Sequence, residues 1–127
     1  MTIQQFIEIL RIAASADTSA DPNGWTESNP LWGHCAVASL LVQDYFGGTL
    51  MRGSLENSDA YKHLRSHFWN LLPQGEIDVT AEQYPDLTFN DLPKEPRERE
   101  RVLSHPDTLR RYELLKTRFE ERLKPEV

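Results

Sequence analysis

The apolar positions of this 127-residue chain change period along its length, and the changes divide it into elements. Ile3, Phe6, Leu10 and Ala13 recur at helical spacing, which predicts a short amphipathic helix with one face turned to a core. Thr2 followed by Gln5 forms a capping-box pattern that can satisfy the amides left open at its start. Glu8 and Arg11 lie off the apolar stripe. The next stretch, "SADTSADPNGWTESNP", has no period. Its Ser, Asp, Asn, Gly and Pro are turn formers, so it reads as a loop, long for a connection in a small domain. Trp25 and Trp32, within and just after it, predict that it is pinned to the body.

Residues 35–46, "CAVASLLVQDYF", carry apolar side chains nearly all round a helical wheel, which predicts a buried central helix ended by Gly47 and Gly48. Residues 48–55 read as a strand, followed by the polar turn "ENSDAYKH". In "RSHFWNLL" the period becomes two. His67, Trp69 and Leu71 face one way; Phe68, Asn70 and Leu72 face the other. Pro73-Gln74-Gly75 supplies a turn, and "EIDVT" (76–80) returns as a second strand, making a hairpin. A short helix fits near Ala81 to Tyr84. "PKEPRERER" mixes charge with Pro and reads as a solvated connector or a polar helical turn. The chain closes in a helix with Ser104 and Asp107 as capping residues and Leu109, Tyr112, Leu115, Phe119 and Leu123 as its apolar stripe. These elements predict one α+β domain over residues 1–127. Its buried central helix would pack on a small antiparallel sheet, with helices at both ends of the chain.

Charge narrows the partners. A net charge of -6 argues against a dedicated nucleic-acid binder and gives no attraction to anionic membranes. No apolar run approaches bilayer length. "MTIQQFIEILRIAASADT" lacks the basic n-region of a secretory signal, so a cytoplasmic location is expected. The single cysteine cannot form an intramolecular disulfide, which fits a reducing compartment.

That cysteine also opens the question of chemistry. Cys35 stands at the predicted N-terminus of the buried helix, where unpaired amides and the helix dipole favour a thiolate, the nucleophilic form. His67 on a strand can take the thiol proton and return it to a leaving group. Asp78 on the next strand can hold the imidazole in one tautomer. If Leu72 pairs with Gly75, His67 and Asp78 share a face two positions out of register, roughly 7–8 Å apart at the backbone, a span that polar side chains bridge. The Cys35 amide and a side chain from Asn29 or His34 are candidate oxyanion donors. Trp32, Trp69 and Asn70 are candidate cleft-lining residues. A metal site built on His34, Cys35 and His67 lacks the usual ligand spacing, and no cofactor is implied. Each residue also has a plainer reading: Cys35 as a small buried hydrophobe, His67 as a core histidine, Asp78 as a strand-edge acid. His63 and His105 read as surface residues.

"SADTSADPNGWTESNPLWGHCAVASLLVQDYFGG" resembles the YunG-like family of small bacterial proteins. That family has Ala-Asp-Thr, a Trp, Asn-Pro, Gly-x-Cys-Ala-Val and Asp-Tyr-Phe-Gly-Gly in this order. "SHFWNLLPQGEIDVTAEQYP" and "HPDTLRRYELLKTRFEERL" are similar to its later strand pair and its closing helix. The resemblance runs from about Ala16 to Leu123. His34 is a departure, standing where the family pattern implies Gln. The order of Cys on a helix, then His and Asp on successive strands, is also similar to papain-like folds in the broad sense. Arylamine N-acetyltransferases, transglutaminases and NlpC/P60 peptidases share that order. The resemblance implies a papain-like or transglutaminase-like α+β domain. On this basis the expected activity is a cysteine-dependent hydrolase or acyltransferase. It would act on an amide or thioester of a small-molecule or peptide/protein substrate through Cys35, His67 and Asp78. The alternative is a non-catalytic binding or partner domain of the same fold.

Overall fold

A computed structural model describes residues 1–84, 86–87 and 92–124. Pro85 and residues 88–91, part of the stretch that the sequence leaves irregular, lie outside the described residues. The described chain is α+β. Four helices, α1 (Ile3–Ala13), α2 (Cys35–Phe46), α3 (Arg99–Leu103) and α4 (Pro106–Leu123), accompany a four-stranded antiparallel sheet. The strands are β1 (Thr49–Ser54), β2 (Ser66–Leu72), β3 (Gly75–Ile77) and β4 (Lys94–Arg97), in the order β3-β2-β1-β4.

The N-terminal helix forms as its caps require. Thr2 Oγ1 accepts from the Gln5 amide at 3.1 Å, and Gln5 Oε1 accepts from the Thr2 amide at 2.8 Å. Phe6 and Leu10 are fully buried on the predicted face. Phe6 meets Phe119 of α4 with ring centroids 4.8 Å apart, so the two ends of the chain close over α2 together. α2 is buried through Val37, Ala38, Leu40, Leu41 and Val42. It stops at Gly47, whose φ of +74° follows the helix, and a Cβ on Gly48 would sit 2.5 Å from the Leu71 carbonyl oxygen.

In the sheet, Leu72 pairs with Gly75, as the turn residues imply, and Arg52 of β1 lies opposite Phe68 of β2. The register places Leu50, Arg52, Phe68 and Asn70 on one face and Met51, Gly53, His67 and Trp69 on the other. α2 crosses the first face, where Asn70 Nδ2 donates to the Ser39 carbonyl at 3.0 Å. The second face is covered as well: Trp69 is fully buried, and a Cβ on Gly53 would lie 2.7 Å from its ring.

Three expectations are corrected. "PKEPRERER" is more than a solvated connector or a polar helical turn. Residues 94–97 form the edge strand β4 against β1, and 99–103 form α3. The strand escaped notice because Lys94, Glu95 and Pro96 are exposed and an edge position tolerates Pro. Arg99 is also far from free: it pairs with Asp44 at 2.8 Å and donates to the Tyr112 hydroxyl at 2.7 Å. Second, "EIDVT" is a strand only to Ile77, and Asp78–Thr80 turn away from the ladder. Third, α4 starts at Pro106 without the Ser104 cap, because Ser104 Oγ donates back to the Arg101 carbonyl. Pro at the first helical position needs no amide acceptor. Leu109 and Leu123 are exposed, and Arg111 joins Tyr112, Leu115 and Phe119 on the buried side.

Candidate active site

Cys35 is the first residue of α2. The residue before it, His34, has φ -105° and ψ 2° and offers no side-chain cap. The amides of Cys35 and Ala36 therefore make no hydrogen bond among the described residues. The Cys35 side chain is mostly buried, with 9% of the residue exposed, and that exposure opens into a cleft of about 320 Å³. Ala36, Phe68 and Tyr84 form apolar parts of its wall.

His67 is fully buried. Trp69 stacks on its ring at 5.8 Å and Tyr84 meets it edge-on at 5.2 Å, so the imidazole has little freedom to turn. Its Nε2 lies 2.6 Å from Asp78 Oδ2. With Nε2–H donating to the carboxylate, the other ring nitrogen, Nδ1, is left buried with no hydrogen-bond partner. The Cys35 thiol comes close enough to act on the imidazole, although no bond of ordinary geometry closes Nδ1. Burial works to lower the basicity of His67. The bond to Asp78 and the nearness of Cys35 outweigh it, and the pKa is pushed up to about 10. At neutral pH the ring is an imidazolium beside a sulfur, the setting in which cysteines are nucleophilic.

Asp78 is held in turn. Its Oδ1 accepts from the Thr80 amide at 3.1 Å and the Thr80 hydroxyl at 3.3 Å. Gln83 Nε2 donates to Thr80 Oγ1 at 2.8 Å, and Gln83 Oε1 accepts from the Gly33 amide at 2.9 Å. Each donor in this chain has its own acceptor. It runs from Gly33, two residues before the cysteine, through Gln83, Thr80 and Asp78 to His67. The buried imidazole and the start of α2 are thus tied together by polar bonds. Tyr84 follows directly, and burial raises its hydroxyl pKa above the ordinary tyrosine value. Sequence reasoning assigned no role to Thr80, Gln83 or Tyr84. The signal available was the run "DVTAEQY" within the stretch that resembles the family, which contains all three.

Of the five expected oxyanion or cleft-lining residues, Asn29, Trp32, His34, Trp69 and Asn70, none is among the residues lining this cleft, and each is placed around it. His34 is fully buried with both ring nitrogens engaged. Its Nδ1 lies 2.9 Å from the Trp32 carbonyl, which can only accept, so Nδ1 carries the proton and Nε2 accepts from the Thr18 hydroxyl at 2.6 Å. Burial drives its pKa down to about 4, and the ring is neutral. Trp32 donates to Asp21 Oδ2 at 3.0 Å and packs edge-on against Tyr84 at 5.6 Å. Asn29 Nδ2 reaches the Gln83 carbonyl at 3.4 Å. Trp69 backs His67, and Asn70 anchors α2. These residues hold the site from behind. Trp32 ties the loop of residues 15–30 to the body, bonding Asp21 of the loop and packing on Tyr84, while Trp25 Nε1 donates within the loop to the Pro30 carbonyl at 2.8 Å.

Comparison with known proteins gives the chain a family. The uncharacterized protein YunG of Bacillus subtilis (strain 168) is 32% identical over 75 residues, which cover 58% of this chain and 59% of that protein. No solved structure matches. No helix among the described residues is long and apolar enough to cross a membrane. The family model described as YunG protein matches residues 2–124, essentially the whole described chain and all of the Cys35, His67 and Asp78 cluster, so the chain belongs to the YunG family.

Proposed function

We propose that this protein is a cysteine-dependent hydrolase or acyltransferase acting on an amide or thioester, built on a papain-like arrangement of helix and sheet. One observation carries the reading. The buried His67 gives one nitrogen to Asp78 at 2.6 Å, its other ring nitrogen makes no hydrogen bond, and Cys35, at the open end of α2, is near enough to raise the basicity of the ring. The order of Cys on a helix, His on a strand and Asp just past the next strand supports the papain-like assignment.

The chemistry follows from the atoms present. The Cys35 thiolate attacks the acyl carbon; a C–S bond forms and the carbonyl electron pair moves to oxygen. The unpaired amides of Cys35 and Ala36 can receive that oxyanion. Collapse breaks the bond to the amine or thiol, and the leaving group takes the Nδ1 proton of His67. Water, or an acceptor amine or thiol, then attacks the acyl-enzyme. His67 takes its proton, and the thiolate leaves. Asp78 accepts from Nε2 throughout and steadies the imidazolium.

Because Cys35 is the sole cysteine, alkylation by iodoacetamide followed by mass spectrometry reads this site alone. At pH 6 the expected rate exceeds that of a free thiol by at least about tenfold, and His67→Ala removes the excess. A rate that simply follows a free thiol's rise near pH 8.5, unchanged by His67→Ala, would sink the enzyme reading and leave a non-catalytic binding domain.

A further inference from the structure

The cleft beside Cys35 has an unusual charge for this chain. The protein as a whole carries -6, with 14 lysines and arginines against 20 carboxylates. Five of those 14 cations, Arg52, Arg65, Arg97, Arg101 and Arg111, line this one cleft, and among the described residues no Asp or Glu does. A random draw from this composition would put more acids than bases there.

The arginines arrive from separate parts of the fold. Arg52 comes from β1, Arg97 from β4, Arg101 from α3, Arg111 from α4, and Arg65 from the turn before β2. Two are already engaged. Arg111 is buried and bonds Asp107 Oδ2 at 2.9 Å and the Thr18 carbonyl at 3.4 Å, while Arg97 bonds the exposed Glu95 at 2.7 Å. Arg52, Arg65 and Arg101 make no ion pair and no side-chain hydrogen bond among the described residues. Glu95, opposite Arg52 in the ladder, lies near enough to Arg52 and Arg101 to feel their charge but forms no hydrogen bond with either, so their donors remain for a carboxylate or phosphate, which Arg binds in bidentate fashion. Arg65 holds φ +69° and ψ -51°, a backbone region that costs roughly 1–3 kcal/mol for a residue with a side chain. A glycine there would be free of that cost. What the arginine supplies instead is a cation at the cleft.

We propose that the cleft selects a small acyl substrate bearing a negative group, a carboxylate or a phosphate, and that Arg52, Arg65 and Arg101 recognise that group while Cys35 meets the acyl carbon. The assignment of substrate class rests on the reading of Cys35 as the nucleophile. The volume of about 320 Å³ is at the small end of ligand sites, which favours a compact metabolite-sized molecule over a folded protein surface. Field focusing by a cationic cleft raises the local concentration of such an anion and speeds its arrival, and salt weakens the effect.

The lone cysteine again gives a direct test. Iodoacetate and iodoacetamide present the same alkylating carbon with and without a carboxylate. The ratio of their rate constants at Cys35, divided by the same ratio for a free thiol, measures anion selection alone. The expected value is about tenfold or more at low salt. It should fall several-fold in each of Arg52→Gln, Arg65→Gln and Arg101→Gln and collapse at high salt, and inorganic phosphate should protect Cys35 from iodoacetate. A normalised ratio near one that neither salt nor the three variants move would overturn the proposal. This readout is independent of the His67→Ala comparison with iodoacetamide. A site that fails one test and passes the other separates the substrate class from the nucleophile.

Discussion

At the scale of the residue, the site turns on which atom of His67 faces which partner. Asp78 takes Nε2, which leaves Nδ1 without a hydrogen bond, and the elevated basicity of the ring comes from the bond to that carboxylate and the nearness of Cys35, which together overcome burial. Asp78→Asn keeps the shape and removes the charge. The His67 ring proton, followed by NMR, should titrate near pH 10 in the unaltered protein and well below that in Asp78→Asn. An unmoved inflection would show that Asp78 does not set the charge on His67. Part of this site was legible in the sequence: Cys35 at a helix start, His67 on a strand, and Asp78 within reach of it. The supporting residues were not legible as such. Gln83 and Thr80 connect Gly33 to Asp78 across 50 and 3 positions of sequence, and nothing in local pattern predicts bonds of that kind. The partners of His34 were hidden for a related reason. Beside a cysteine it looks like a donor to the reaction, but Thr18 and Trp32 claim both of its nitrogens.

At the scale of the element, β2 is the strand that joins fold to chemistry, because its two faces do different things. Asn70 and Leu72 face α2, whereas His67 and Trp69 face away and are buried on the other side. Period-two patterning revealed the strand, but it could not show that both faces are covered, which is why Trp69 and Asn70 looked like cleft residues. Trp69 reaches its place because Gly53 of β1, directly opposite His67, has no side chain. A Cβ there would meet the Trp69 ring at 2.7 Å and Leu92 Cδ1 at 2.9 Å. The Leu92 methyl can move aside, but the Trp69 ring is rigid and fully buried. Gly53→Ala should therefore destabilise the protein by about 1–3 kcal/mol in urea unfolding, the usual cost of overpacking. Since the displaced ring stacks on His67, the same variant should slow Cys35 alkylation in the fraction that remains folded. A stable Gly53→Ala with unaltered alkylation would mean that the Trp69 ring gives way without disturbing the imidazole. The edge strand β4 shows the opposite limit of pattern reading. Lys94, Glu95 and Pro96 are exposed, so its membership of the sheet is decided by backbone pairing with β1, which leaves no trace in hydrophobicity.

At the scale of the whole molecule, two fully buried histidines pull the pH dependence of stability in opposite directions. His34 has its pKa lowered from 6.5 to about 4, so the folded state binds its proton less readily than the unfolded chain. Its contribution is present above pH 6.5 and is lost as the pH falls toward 4. His67 has its pKa raised from 6.5 to about 10, so the folded state holds that proton more tightly. Its contribution is present below pH 6.5 and is lost as the pH rises toward 10. The lowered carboxyl pKa values of Asp17 and Asp107, set first by hydrogen bonds from Arg118 and Arg110, act in more acid solution. The raised tyrosine pKa values of Tyr84 and Tyr112, set first by burial, act in more alkaline solution. The interval between about pH 4 and pH 10 therefore belongs largely to the two histidines, and stability should peak near their shared unfolded value of 6.5. Urea midpoints measured across this range separate the limbs. His34→Gln should flatten the acid limb and leave the alkaline one, and His67→Gln should do the reverse. Both variants lose packing and hydrogen bonds, so each lowers the whole curve; the shape of the curve, not its height, reports the titration. An alkaline limb that persists in His67→Gln would show that the proton held inside the fold at neutral pH is not on the imidazole beside Cys35. The same result would remove the charge from which the proposed thiolate chemistry starts.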